Sequence, residues 1–232
     1  MNDKALSEKI GYGFRDARLL RMALSHSSYV NEAGLTRFQS NERLEFLGDA
    51  MLESIISLEL YSRLPYVGEG DLTKLRAYIV CEGSLFRCAT AFSLGSFLNL
   101  GKGEERNGGR NRPSVVADAM EALIGAIFLD GGRDAAEGFV MRALAPVIEE
   151  AMTGVEDGDY KSRLQETLQT DGAVRLCYRM ERAEGPDHDK LFHVSVLMDD
   201  SPIGSGMGKS KKQAEQNAAR NALEKSSCTL NA

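Results

Sequence analysis

Two acidic segments have the residue types and spacing to do chemistry. In NERLEFLGDA, residues 41–50, Glu42, Glu45 and Asp49 stand at i, i+3 and i+7, which on an α-helix is one face. In VVADAMEALIGAIFL, residues 115–129, Asp118 and Glu121 stand three residues apart, one helical turn. A solvated helix face is the default for acids at such spacing, because most charged positions lie in water. Here the neighbours are apolar. Leu44, Phe46, Leu47, Ala50, Met51 and Leu52 flank the first group, and the second segment is apolar almost all the way round, so these carboxylates are expected to be partly buried. Like charges gathered at low dielectric either take up protons or need a cation. No lysine or arginine shares the two faces except Arg43, which points elsewhere. A hard divalent metal held by oxygen ligands is the natural counter-charge, and Mg²⁺ favours a few carboxylates plus water and substrate phosphate.

Helix geometry sorts the acids. Glu45 and Asp49 are separated by about 6 Å of rise, Glu42 and Asp49 by about 10 Å, so Glu42 falls outside a shared ion site. Glu45, Asp49, Asp118 and Glu121 carry four charges, enough for two Mg²⁺, with Mn²⁺ as an expected substitute. Such a pair suits in-line phosphodiester hydrolysis, one ion activating water and the other stabilising the leaving oxygen. Gly48 costs about 1 kcal/mol relative to alanine in a helix interior, which makes sense if a second helix crosses there. The expected partner is the Ala122, Gly125, Ala126 side of the second helix.

These residues need elements to position them. The first helix is expected to be capped by Ser40 or Asn41 and to end before Pro65; the second to start after Pro113 with Ser114 as cap and to stop at Gly131-Gly132. Apolar residues recur at three- and four-residue spacing through residues 14–151, so this half reads as almost all helix. The stretch 149–159, EEAMTGVEDGD, is acidic, contains two glycines and lacks a packing stripe, as a connection does. Beyond it the pattern gives a helix over 160–169, alternating strands over 175–182 and 191–198, a short strand over 202–207 and a helix over 209–224. A chain of 232 residues, 43% of them hydrophobic, accommodates this division: an all-α domain over 1–153, a linker over 154–159, and a small α+β domain of α-β-β-β-α order over 160–228.

The net charge of −6 runs against the basic footprint that phosphate binding normally leaves. Residues 1–155 hold 17 Lys+Arg against 21 Asp+Glu, and residues 156–232 hold 11 against 13, so any nucleic-acid contact must come from local clusters. One is at the last helix, where Lys209, Lys211 and Lys212 oppose the helix dipole unless an anion visits. Behind them Ala214, Ala218, Ala222 and Leu223 form a small apolar face for packing on a sheet. Lys74, Arg76, Lys102, Arg106, Arg110 and Arg112 are further candidates for phosphate contact. His26 reads as a packed or capping histidine. The cysteines, Cys81, Cys88, Cys177 and Cys228, and the histidines share no zinc-ligand spacing and read as reduced thiols. With no apolar run of signal-peptide length at the start, and none near the roughly 20 residues of a membrane helix, a soluble cytoplasmic protein with no membrane partner is expected.

NERLEFLGDA resembles the signature of the ribonuclease III family. EGDLTKLRA (69–77), LGKGEE (100–105), GGRNR (108–112) and ADAMEALIGA (117–126) resemble that family's later blocks in the same order. The segment from residue 160 to about 228, with KSRLQE (161–166) in its first helix, resembles the double-stranded-RNA-binding domain. The likeness covers nearly the whole chain. It implies an Mg²⁺-dependent endonuclease for double-stranded RNA that leaves 5′-phosphates and short 3′ overhangs, with roles in processing rRNA precursors and structured transcripts including mRNA. It implies that Glu45, Asp118 and Glu121 are metal ligands, that Asp49 is an essential acid beside them, and that Glu42 and Glu69 lie nearer a dimer interface or substrate. It further implies a symmetric homodimer whose two sites face the two strands. Gln165 and Glu166 are expected at one minor groove, His188 at the next, and Lys209, Lys211 and Lys212 on the phosphates between them. Glu215 stands where many such domains carry a basic residue, and Asp187 and Asp189 flank His188. Two other classes compete with this reading: an RNA-binding protein that does not cut, and a nuclease for duplex DNA.

Overall fold

The computed structural model describes residues 3–65, 67–153, 160–169, 175–186 and 190–229. They form two compact units, one helical and one α/β.

The helical unit is built from α1 (Asp3–Ile10), α2 (Ala17–Ala23), α3 (Ser27–Glu32), α4 (Glu42–Arg63), α5 (Glu69–Val80), α6 (Glu82–Ala91), α7 (Lys102–Arg106) and α8 (Pro113–Met152). At its centre α4 packs on α8. From α4, Leu44, Leu52, Ile55, Ile56 and Leu60 are buried; α8 buries residues from Val115 to Ile127 nearly without interruption. This is the burial expected of a helix apolar on all sides.

Helix α4 ends before Pro65 as its sequence requires. At its start the Asn41 carbonyl accepts the Leu44 and Glu45 N–H groups at 2.9 Å each, and the Asn41 N–H donates to Ser25 O at 2.8 Å. Ser40 does not cap: its hydroxyl donates to Arg37 O at 2.9 Å and to Glu42 Oε2 at 3.1 Å. Helix α8 differs from expectation at both ends. It begins at Pro113 with Arg112 in the N-cap position, not with Ser114; proline at the first helical position loses no hydrogen bond and has the right φ already. At Gly131-Gly132 it breaks rather than stops. Gly132 takes φ 81°, a conformation that favours glycine, and helix resumes to carry Phe139, Val140, Leu144, Val147 and Ile148 into the core. Next to the break Asp130 accepts from Tyr12 Oη at 2.7 Å and from the Arg15 and Asp16 N–H groups at 2.9 and 2.8 Å, fastening the N-terminal segment there.

The α/β unit comprises α9 (Tyr160–Gln169), β1 (Leu176–Glu184), β2 (Leu191–Met198), β3 (Ser201–Gly208) and α10 (Lys211–Thr229), the strands forming an antiparallel sheet in the order β1-β2-β3. Its core joins Leu164 of α9, Val194 and Val196 of β2, and Ala214, Ala218, Ala219, Ala222 and Leu223 of α10. Gly204, Gly206 and Gly208 alternate along β3 on the face that meets α10; a Cβ on Gly204 would lie 2.6 Å from Ala218 O, and one on Gly208 2.7 Å from Ala214 N. Alanine on the helix and glycine on the strand therefore let the two backbones approach. Lys209 precedes α10 instead of opening it, because Ser210 is the cap: its hydroxyl accepts the Gln213 N–H at 3.1 Å, while Gln213 Oε1 accepts the Lys209 N–H at 2.7 Å. Among the described residues no helix is long and apolar enough to cross a membrane.

Candidate metal centre and nucleic-acid interface

The crossing of α4 and α8 is a contact of backbone on backbone. A Cβ on Gly48 would strike the Glu121 carbonyl and lie 3.0 Å from Gly125 N; one on Gly125 would strike the Leu44 carbonyl and lie 3.1 Å from Gly48 N. Ala122 and Ala126 pack with Leu44 beside it, which is the partner face the sequence pointed to. Glu45 and Asp49 flank Gly48 in the chain, and Glu121 precedes Gly125 by one turn. The crossing thus draws acids from both helices into one field.

The consequences are electrostatic. Burial, reinforced by the charges of Asp49, Glu45, Asp118 and Glu53, pushes the Glu121 carboxyl up to about 8. Burial, with Asp118, Glu42 and Asp49 nearby, raises Glu45. Burial and Glu82 raise Asp118, against which only His26 acts in the opposite sense. Glu45, Asp118 and Glu121 are half-buried, whereas Asp49, expected to be partly buried, is exposed; Phe46 and Ala50 beside it are exposed too, so they shield nothing. Among the described residues no lysine or arginine forms an ion pair with these four acids. Nor do any three His, Cys, Asp or Glu side chains among them converge closely enough to grip an ion by themselves. Carboxylates drawn from two helices without a closed cage suit a cation that completes its coordination with water and phosphate.

Three participants escaped the sequence reading. Glu53 lies one turn beyond Asp49 on α4, so spacing could have found it. Glu82 opens α6, and no spacing links it to Asp118. His26 is the N-cap of α3, its Nδ1 accepting the Ser28 N–H at 3.2 Å; that is the capping role expected of it, but its influence on Asp118 was not legible.

Glu42 acts on Glu45 but not on Asp118 or Glu121, and it lines an apolar groove with Leu19, Met22, Phe38, Phe46 and Leu129. Phe46 is 79% exposed there, Phe38 56% and Leu129 54%. Glu69 opens α5 and is not among the charges acting on the three raised carboxyls. Most of the basic candidates have structural partners. Arg110 Nη1 donates to the carbonyls of Gly95, Ser96 and Leu98 at 3.1, 3.2 and 2.8 Å while its Nε meets Glu105 at 2.7 Å. Arg112 pairs with Glu104 at 2.7 Å, Lys74 with Asp71 at 2.8 Å and Lys102 with Glu32 at 3.6 Å, and Arg76 donates to Ser57 Oγ at 3.0 Å. Arg106 at the end of α7 is exposed.

In the α/β unit, Gln165 and Glu166 are exposed on α9, and Lys209, Lys211 and Lys212 are exposed around the start of α10. His188, with Asp187 and Asp189, lies outside the described residues.

An acid-bearing helix crossing, carried in one chain with an α-β-β-β-α unit whose last helix opens on lysines, is the organisation of a nuclease for structured RNA. Comparison with known proteins agrees. Residues 16–148 match the family model described as ribonuclease-III-like, and residues 160–226 match the double-stranded RNA binding motif. "Ribonuclease 3" of Pelotomaculum thermopropionicum is 49% identical over 221 residues, spanning 95% of this chain and 92% of that protein. "Ribonuclease 3" of Bacillus cereus is 49% identical over 223 residues, spanning 96% and 90%. The solved nuclease domain of ribonuclease III from Campylobacter jejuni, described as having structural flexibility in a region involved in dimer formation, superposes with a TM-score of 0.58 at 39% identity, covering 66% of this chain and 99% of that one. The chain belongs to the ribonuclease III family, and its function is that of a double-stranded-RNA endoribonuclease.

Proposed function

We propose that the chain hydrolyses both strands of an RNA duplex as a homodimer, using Mg²⁺ held by Glu45, Asp49, Asp118 and Glu121, and leaving 5′-phosphates and short 3′ overhangs. The observation that carries this reading is the group of raised carboxyls gathered around the Gly48–Gly125 crossing. Magnesium bound there supplies Lewis-acid activation of water and of the scissile phosphate. The chain's own part is to hold the donors in place. Glu121, with its carboxyl near 8, holds a proton at neutral pH when no cation balances it and would serve as a ligand in its ionised form, whereas Asp49 is exposed and would face solvent and substrate. Main-chain contact at the crossing keeps the backbones that carry the acids of α4 and α8 at a set separation, and the side chains have only to swing together around an ion.

One acid group per chain serves one strand, so a second copy is needed to cut the other. The exposed Phe46 beside its apolar groove supports such an interface, since exposed aromatics rimmed by polar groups mark contact surfaces, and Glu42 lines the same groove. Residues 1–153 act as the catalytic domain, 154–159 as the connection, and 160–228 as the RNA-binding domain, in which Gln165, Glu166 and His188 address minor grooves and Lys209, Lys211 and Lys212 the phosphates between. The physiological substrates are rRNA precursors and other structured transcripts in the cytoplasm.

The test is cleavage of a perfect RNA duplex of about 30 base pairs, long enough for the roughly 16 base pairs one such domain spans, in Mg²⁺ or EDTA, by the parent and by Glu121→Gln. The expected result is Mg²⁺-dependent cutting by the parent and binding without cutting by the variant. Binding without cutting by the parent in every metal overturns the nuclease reading in favour of a binding protein. Equal cutting of a matched DNA duplex overturns the RNA specificity.

A further inference from the structure

Glu215 puts a negative charge one turn from Lys211 and Lys212, within the segment assigned to phosphates. Left to itself a carboxylate at i+4 from a lysine pairs with it and would take charge away from the RNA face. In the structure it turns elsewhere. Glu215 Oε2 meets Lys161 Nζ of α9 at 2.6 Å, with the two side chains 29% and 35% exposed. The same Nζ lies 4.5 Å from the centre of the Tyr178 ring on β1, and the Lys161 N–H donates to Gln216 Oε1 at 3.2 Å. Lys161 is therefore gripped from α10 at its backbone and at its tip, with an aromatic face beneath the charge.

We propose that Glu215 is a positioning residue for RNA binding: through Lys161 it ties the first turn of α9 to the first turns of α10, fixing the separation between Gln165–Glu166 and Lys209–Lys212. This rests on the RNA contacts proposed above. The acid that by charge alone should weaken binding strengthens it, because A-form shape is read by contacts at a fixed spacing and because Lys161 holds the carboxylate away from Lys211.

The inference predicts a sign opposite to simple electrostatics. Removing a negative charge from a nucleic-acid-binding surface ordinarily tightens binding; Glu215→Gln in the full-length chain is expected to weaken it about threefold to tenfold, the range of a contact coupled to its neighbours. Binding is measured in EDTA on the duplex of about 30 base pairs, for the parent, Glu215→Gln, Lys211→Ala/Lys212→Ala and all three changes together. A loss with Glu215→Gln that shrinks below about twofold when the lysines are already gone supports positioning, because coupled residues are non-additive. Tighter or unchanged binding by Glu215→Gln, or an equal loss in both backgrounds as a general weakening of the fold would give, overturns it. If Lys211→Ala/Lys212→Ala binds like the parent, the assigned RNA face itself has failed, and the inference with it. Should Glu215→Gln not fold, the exchanged pair Lys161→Glu/Glu215→Lys keeps the ion pair: affinity within about twofold of the parent supports the inference, and a loss of about tenfold or more overturns it.

Discussion

The helical and α/β units solve the same packing problem in the same way and obtain opposite electrostatic results. In each, glycine on one element and small residues on the other let two backbones touch: Gly48 against Gly125 in the first, Gly204, Gly206 and Gly208 against α10 in the second. In the helical unit the charged residues sit beside the point of contact, so acids are carried toward the interior and raised together. In the α/β unit Lys209, Lys211 and Lys212 precede the contact, around the start of the helix, and are exposed, while Glu215 within it is paired with Lys161. Close packing does not by itself determine charge state. Where a charged residue stands on its helix matters as well: Asp49, next to Gly48, is exposed, and Glu45 is half-buried.

The largest test of this comparison is to add one methyl group to each contact. Gly48→Ala puts a carbon into the Glu121 carbonyl and is expected to cost about 3 kcal/mol or more, at the upper end for overpacking, with cleavage lost; denaturant unfolding followed by helical signal measures it. Gly206→Ala, whose Cβ would lie 2.6 Å from Ala214 O, is expected to abolish RNA binding and leave the melting of the helical unit unchanged. If it lowers both transitions equally, the two contacts are not independent.

A smaller effect is expected at the apolar groove. Phe46→Asp removes an aromatic side chain that is 79% exposed in the single chain. An anchor of that kind contributes about 2 kcal/mol or more to an interface, so sedimentation should show dimer dissociation at roughly thirtyfold higher concentration than the parent. An unchanged dimer would put the second copy on another face.

The last effect is on pH. Glu121 stands at about 8 in the folded chain against an ordinary 4.5, and Glu45 and Asp118 are raised as well. Between 4.5 and about 8 the folded state binds more protons than the unfolded one, so stability falls as pH rises through that window. In EDTA the melting temperature should drop from pH 5 to pH 8, and Mg²⁺ should offset the drop most at the alkaline end. A melting temperature that rises with pH in EDTA would mean that the acids are not gathered.

Much of this was readable beforehand for a physical reason: helical periodicity fixes which side chains share a face, and a glycine in a helix interior signals a close neighbour. That is how Glu45, Asp49 and the Gly48–Gly125 crossing could be placed from spacing alone. What escaped depends on contacts distant in sequence. Glu82 and His26 reach Asp118 from elements whose spacing says nothing about α8. Arg110 resembles a phosphate ligand in sequence, yet three carbonyls occupy it. Asp49 has apolar neighbours in the chain, but Phe46 and Ala50 among them face solvent with it. The Ser210 cap was legible in principle, since serine three residues before glutamine is a helix-start pattern, and the lysines around it drew the reading instead.

Because the Gly48–Gly125 contact is main chain against main chain, the gap between the two acid pairs is gauged by atomic radii and not by rotamers. Substitutions that loosen the core elsewhere can lower the unit's stability and still leave that gap at its set width. A change of one carbon at the crossing itself resets it.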